Sequence, residues 1–100
     1  MNLWDRQEAI DNMPAGTTKI VEDMLVQYIE NGQAPSTFYK CMFEDKLMLT
    51  VIRADLSNLL QIKHWIKWLI NHTPEGCRGS EKIVANWIKI GGLKDGSLND

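Results

Sequence analysis

The stretch from Pro74 to Lys82 carries the residues of this 100-residue chain best suited to chemistry. A glycine-containing turn that runs into a helix N-terminus presents free backbone N–H groups and the positive end of the helix dipole to an anion. Arg78, Gly79, Ser80 and Lys82 stand at such a place, where arginine, serine and lysine add side-chain donors, so the segment is a chemically competent phosphate clasp. It has neither the GxxxxGK[ST] spacing of a P-loop nor a preceding strand, and taken alone an ordinary capped loop accounts for it better. A second group is Arg53, Asp55 and Asn58, where Asp55 and Asn58 interrupt an apolar arc. An unpaired buried carboxylate is costly. Asp55 therefore needs a partner such as Arg53, Arg78 or a helix terminus, or else the helix breaks near Arg53 and Asp55 becomes a cap. Both a buried polar pair that fixes register and ligand readout fit these positions.

Trp65 and Trp68 lie three apart, and with Trp4 and Trp87 they supply four large amphipathic rings. Such spacing serves a core or a subunit interface more often than a base-stacking platform, although Trp68 is positioned to stack if the nearby cations hold an anion. Lys63, Lys67 and His72 suit the negative end of a helix dipole. Catalysis has little support: GxSxG, HExxH and paired Cys/His motifs are absent, and Cys77 beside Arg78 is the sole candidate for an activated thiol. The chain reads as a non-enzymatic binder without a cofactor. Cys41 and Cys77 are expected as free thiols in a reducing cytoplasm, and no recognised spacing joins them with His64 and His72 into a zinc site.

These residues need elements to hold them. Glycines and prolines cut the chain into helix-sized pieces, and no alternating strand pattern competes. Asp5, three before Glu8, resembles a capping box for a short helix within 2–13. From Thr17 to Asn31, Ile20, Val21, Met24, Leu25, Tyr28 and Ile29 follow helical spacing, with Thr17 or Thr18 as cap and Gly32 as stop. A brief helix is expected over Thr37–Asp45. Lys46–Asn71 contains neither proline nor glycine and predicts one long central helix, with Thr50, Arg53, Ser57, Gln61, His64 and Asn71 opposite its aliphatic side. Ser80 caps the last helix, Glu81–Ile90, which Gly91 and Gly92 end. The expectation is all-α: one compact bundle of four or five helices over 1–93, with a disordered tail over 94–100.

Residues 1–45 carry three basic and eight acidic groups, whereas 46–94 carry eight basic and three acidic, although the whole chain is only −2. The split predicts oppositely charged faces that attract within one fold or between subunits, and a small domain gains from a partner copy, so a homo-oligomer is expected. The net charge argues against duplex nucleic acid, yet a local basic cluster can hold a small anion or an acidic surface. A helix-turn-helix regulator ranks lower, because Glu81–Ile90 offers only Lys82 and Lys89. The longest uncharged run, Asn31–Tyr39, has nine residues, far below the ~20 apolar residues of a membrane span. The N-terminus lacks the basic start and apolar core of a secretion signal, so a cytoplasmic location without membrane contact is expected.

Read as one pattern, Pro35–Trp87 resembles a family of small tailed-phage accessory open reading frames. The resemblance lies in Phe38, Asp45, the Arg53-Ala54-Asp55 step with Asn58, Trp68-Leu69 with Asn71 and Pro74, Gly79-Ser80-Glu81, and Trp87. Lys46 and Arg78 depart from it, the latter standing where the pattern has an aromatic residue. The resemblance implies a phage origin and an all-α fold, and points to action against host defence. In one mode the protein is a sponge for a nucleotide immune signal in the host cell cytoplasm. Arg78, Ser80 and Lys82 then hold phosphate, Trp68 or another aromatic stacks on the base, and Arg53, Asp55 and Asn58 read polar groups or brace the pocket. In the other mode it is a protein-directed inhibitor of a host defence protein, of the anti-CRISPR or enzyme-blocking kind, acting through its acidic N-terminal half or exposed tryptophans.

Overall fold

Local capping chemistry sets most of the helix boundaries. In the computed structural model, which describes residues 4–95, seven α-helices run in the order α1 Arg6–Asp11, α2 Lys19–Asn31, α3 Thr37–Phe43, α4 Leu47–Arg53, α5 Leu56–Leu60, α6 Ile62–His72 and α7 Glu81–Ile90. Short 3-10 turns cover Glu75–Cys77 and Gly92–Asp95, and no strand occurs among the described residues. Asp5, Thr18 and Ser80 accept from the backbone N–H groups of Glu8, Val21 and Ile83, satisfying donors that the helices leave free. Gly32 and Gly91 close α2 and α7 in the left-handed conformation. The tail expected from Lys94 lies, from residue 96 onward, outside the described residues.

The long central helix expected over 46–71 is instead three helices, and the bundle of four or five becomes seven. Ala54 and Asp55 adopt extended backbone, and Asp55 caps α5 by accepting from the Asn58 N–H at 2.8 Å. The chain leaves the helix again at Gln61, whose side-chain amide donates to the Ala15 carbonyl at 2.9 Å. At the start of α4, Asp45 takes a positive φ of 59°, while the Lys46 N–H donates to Cys41 O and the Asp45 N–H to Met42 O. That pair of bonds is the Schellman arrangement that ends α3, with aspartate where glycine is commoner.

One core joins all the long elements: Leu25, Tyr28 and Ile29 of α2, Phe38, Tyr39, Met42 and Phe43 of α3, Trp65, Trp68 and Leu69 of α6, and Val84 and Trp87 of α7. Phe38, Tyr39, Trp65 and Trp68 form a chain of edge-to-face rings with centroids 4.8, 5.2 and 5.6 Å apart. Each tryptophan N–H reaches another element: Trp4 to Glu30, Trp65 to Asn58, Trp68 to the Ala9 carbonyl and Trp87 to the Tyr28 carbonyl. The Tyr28 hydroxyl donates to the Cys77 carbonyl at 2.6 Å, tying α2 to the turn before α7.

The C-terminal 3-10 turn sits directly on the end of α2. A Cβ at Gly92, φ 66°, would lie 2.6 Å from the Ile29 carbonyl oxygen and 2.8 Å from the Gly32 nitrogen, so backbone meets backbone there. Gly92→Ala is expected to cost about 2 kcal/mol or more and to lower Tm by roughly 10 °C. Gly16→Ala, where a Cβ meets nothing within 4 Å, should cost clearly less in the same thermal melts.

Glu30 clamps α1 to α2 by accepting from Trp4 at 2.9 Å and pairing with the Arg6 guanidinium. The Arg6 hydrogen bond holds the Glu30 carboxyl below its ordinary value of 4.5, against the opposing effect of burial. A depressed carboxylate contributes stability that is present above the unfolded value and is lost as pH falls through the folded one. The wild type is therefore expected to lose stability on acidification below about 4.5, and Glu30→Gln to lose less over that interval, as read from urea unfolding at each pH.

Candidate functional site

Arg53, Asp55 and Asn58 come together in a cleft of about 370 Å³ between the start of α2 and the start of α5. The break before α5 positions them: extended backbone at Ala54 and Asp55 turns the chain, and Asp55 faces the cleft as a cap. Across from them the turn Pro14–Gly16 and the Thr17 and Thr18 hydroxyls form the opposite wall, and Ser36 stands at the N-terminus of α3. Phe38, Tyr39 and Trp65 supply an aromatic floor.

The groups in this cleft divide into committed and uncommitted ones. Asp55 receives the Asn58 N–H, and Asn58 Oδ1 receives the Trp65 indole N–H at 3.3 Å, so both brace the fold while facing the cleft. Thr17 donates to the Pro14 carbonyl at 2.6 Å, and Thr18 caps α2. The Ser36 hydroxyl makes no capping bond. Arg53 is exposed and has no ion-pair partner among the described residues. Burial pushes the Tyr39 phenol above its ordinary value, opposed by its hydrogen bond with Asn58 and reinforced by the charge of Asp55, so it is neutral at physiological pH. Among the described residues the cleft thus offers the unpaired Arg53 guanidinium, the N-terminal end of the 13-residue α2, which Thr18 caps and Glu22 partly complements, one carboxylate and several hydroxyls above an aromatic floor.

The Pro74–Lys82 segment is placed elsewhere, and its Gly79 N–H, Ser80 hydroxyl and Arg78 Nε are engaged within the fold. The Gly79 N–H donates to the Phe43 carbonyl at 2.8 Å, Ser80 caps α7, and Arg78 Nε donates to Thr73 Oγ1 at 3.2 Å. Glu81 already complements the positive end of α7 and is held by Lys46 at 2.8 Å. Lys46 also lies 3.4 Å from the buried Glu44 carboxylate, so the turn works as a joint between α3 and α7. Lys82 is exposed on α7, while Arg78 and Gly79 border a separate groove with Lys46, Leu47, Ile66 and Ile70.

Trp68 is 1% exposed with its N–H bonded to Ala9, so the ring expected to stack on a base is a core residue that offers no free face. Burial pushes the Cys77 thiol up to about 12, with Thr73 and Arg78 pulling weakly the other way, so it is not an activated thiolate. Among the described residues no group of three or more His, Cys, Asp or Glu side chains could hold a metal ion, and no helix is long and apolar enough to cross a membrane. Sequence reasoning missed Thr17, Thr18, Ser36 and Gln61 as cleft residues. The available signal was that Thr18, Ser36 and Asp55 each precede a helix, but nothing local says that those helix starts converge.

No protein-family model, curated protein or solved structure matches the chain.

The Asp55 cap separates the two uses of this residue. Asp55→Ala is expected to cost about 1 kcal/mol in urea unfolding through loss of the cap. Asp55→Asn keeps an acceptor and should remain within a few tenths of a kcal/mol of the wild type.

Proposed function

We propose that the protein is a non-enzymatic binder that captures a nucleotide-type anion in the cleft between α2 and α5. The observation that carries this reading is Arg53, unpaired among the described residues, sharing a cleft of about 370 Å³ with the α2 N-terminus and with Thr18, Ser36, Ser57 and Asn58. Small-molecule sites typically run ~300–1,000 Å³ with a few placed polar groups, and this cleft falls in that range. The guanidinium and the helix end suit a phosphate. The Asp55 carboxylate would repel that phosphate but accepts from ribose hydroxyls or base amino groups, while the edges of Phe38 and Tyr39 suit the flat apolar part of a base. Stoichiometric capture of this kind requires no catalytic group.

The resemblance of Pro35–Trp87 to small phage accessory proteins gives this binding a purpose: a counter-defence sponge for a host nucleotide immune signal. A protein-directed inhibitor is the other reading that the resemblance supports. Trp65, Trp68 and Trp87 are buried and cannot anchor a partner, which leaves this reading the partly buried Trp4 and the acidic N-terminal half.

Native mass spectrometry and calorimetry with a panel of cyclic and linear nucleotides test the proposal. The wild type should gain nucleotide mass in fixed stoichiometry, and Arg53→Ala should bind about tenfold or more weakly with unchanged melting. Arg78→Ala and Lys82→Ala should retain affinity within about twofold, because neither lines the cleft. A wild type that takes up nothing across the panel sinks the nucleotide reading and directs attention to a protein target.

A further inference from the structure

The segment Leu47–Leu60 is amphipathic in the inverse sense for an isolated subunit. Its polar residues are the ones turned toward the rest of the fold: Thr50 is 3% exposed, and Arg53, Asp55, Ser57 and Asn58, although largely exposed, line the open cleft. Its apolar side faces outward, with Met48, Ile52, Leu56 and Leu60 each 72 to 79% exposed. Thr50 is the only residue that α4 and α5 bury between them. Helices of seven and five residues do not persist by backbone bonding alone, so this segment needs a surface to pack on. The rest of the chain is not loosely folded, since its radius of gyration of 12.7 Å matches the ~13 Å of a compact 100-residue domain.

We infer that this outward face, together with the apolar groove beside it, is covered by a second copy of the same chain. With Leu47, Val51, Leu59, Ile66 and Ile70 the face exposes roughly 900 Å² of apolar surface, above the ~300–600 Å² of the largest patch on an ordinary monomer. It equals the scale of the ~800 Å² that each partner contributes to a stable complex. Shape favours a copy of itself: Met48, Ile52, Leu56 and Leu60 protrude from a segment whose first residue, Leu47, lines a groove of about 260 Å³ with Ile66, Ile70, Met42 and Phe43. A twofold contact uses the same patch on both subunits, so the ridge of each can enter the groove of the other. This inference does not rest on the ligand reading.

Sedimentation equilibrium of the full chain tests it. The wild type should form a dimer, or a larger assembly built on it, at micromolar concentration. Ile52→Glu and Leu60→Glu should each weaken association by about 100-fold and shift the mass toward the 11.5 kDa monomer. Ile20→Glu, on α2 and outside this face though 81% exposed, should leave the mass unchanged. The inference is overturned by a wild type that stays monomeric, including one that instead co-sediments with anionic lipid vesicles. It is equally overturned by an assembly that ignores both substitutions, or by one that Ile20→Glu dissociates to the same extent. Should the glutamate variants fail to fold, hydrogen exchange on the wild type decides. Protection of amides 47–60 that rises with protein concentration supports the shared face, and concentration-independent protection rejects it.

Discussion

A buried indole must find an acceptor for its N–H, and this one requirement organises the molecule. Trp65, Trp68 and Trp87 are nearly inaccessible, and each N–H ends on a different element: Asn58 of α5, Ala9 of α1 and Tyr28 of α2. The rings fill the core while their polar edges fix how neighbouring helices are oriented. An orphaned buried donor costs about 1–3 kcal/mol, so arrangements that bury the same rings without these acceptors are disfavoured by more than lost packing. α6 carries two of the indoles and is therefore held from both sides, by α1 through Trp68 and by α5 through Trp65.

The cleft follows from that arrangement. The edge-to-face series that runs through the core as Trp68, Trp65, Tyr39 and Phe38 surfaces at its far end as the cleft floor. Asn58 accepts the Trp65 N–H with its side chain and gives its own backbone N–H to Asp55, so one residue links the core to the cap that breaks the central segment. Because that break turns the chain, Arg53 and Ser57 share a wall with Asp55. Core packing and cleft geometry are one hydrogen-bonded unit, with Arg53 as its uncommitted member.

Where a boundary depends on local chemistry, the sequence is readable. Asp5, Thr18 and Ser80 cap their helices and Gly32 and Gly91 end theirs, because a cap involves only a few consecutive residues. The segment 46–71 reads as one helix because it lacks proline and glycine, and the breaks at Ala54 and Gln61 come from hydrogen bonds instead, one of them to Ala15, 46 residues away. The arrangement of faces was legible, but not their direction. Of the residues expected opposite the aliphatic side, Thr50 is buried and Arg53, Ser57 and Gln61 line the cleft, while the aliphatic side is the more exposed one, since periodicity shows which residues lie together and says nothing of what covers them. The candidate site divides in two: Arg53, Asp55 and Asn58 meet in one cleft, whereas Arg78, Gly79 and Ser80 lie in a turn that is tied to α3 through Gly79 to Phe43 and Glu81 to Lys46, partners more than thirty residues earlier in the chain.

The outward apolar face and the inward cleft wall are opposite sides of the same short segment. α4 and α5 contribute almost nothing to the core, so whatever orders their apolar side also sets how often Arg53 and Asp55 occupy the positions they hold here. Binding at the cleft and covering of the face then draw on a single conformational equilibrium, and linkage makes the coupling reciprocal: a subunit contact that favours the ordered segment raises ligand affinity by the factor with which ligand strengthens the contact. Such coupling would require no path between distant sites, because fewer than fifteen residues, Leu47–Leu60, carry both the cleft wall and the apolar face. It also gives a reason for apolar residues to stay on the surface of so small a domain. A segment buried in its own monomer would be rigid regardless of concentration, whereas one completed by another copy would be ordered only when the chain is abundant.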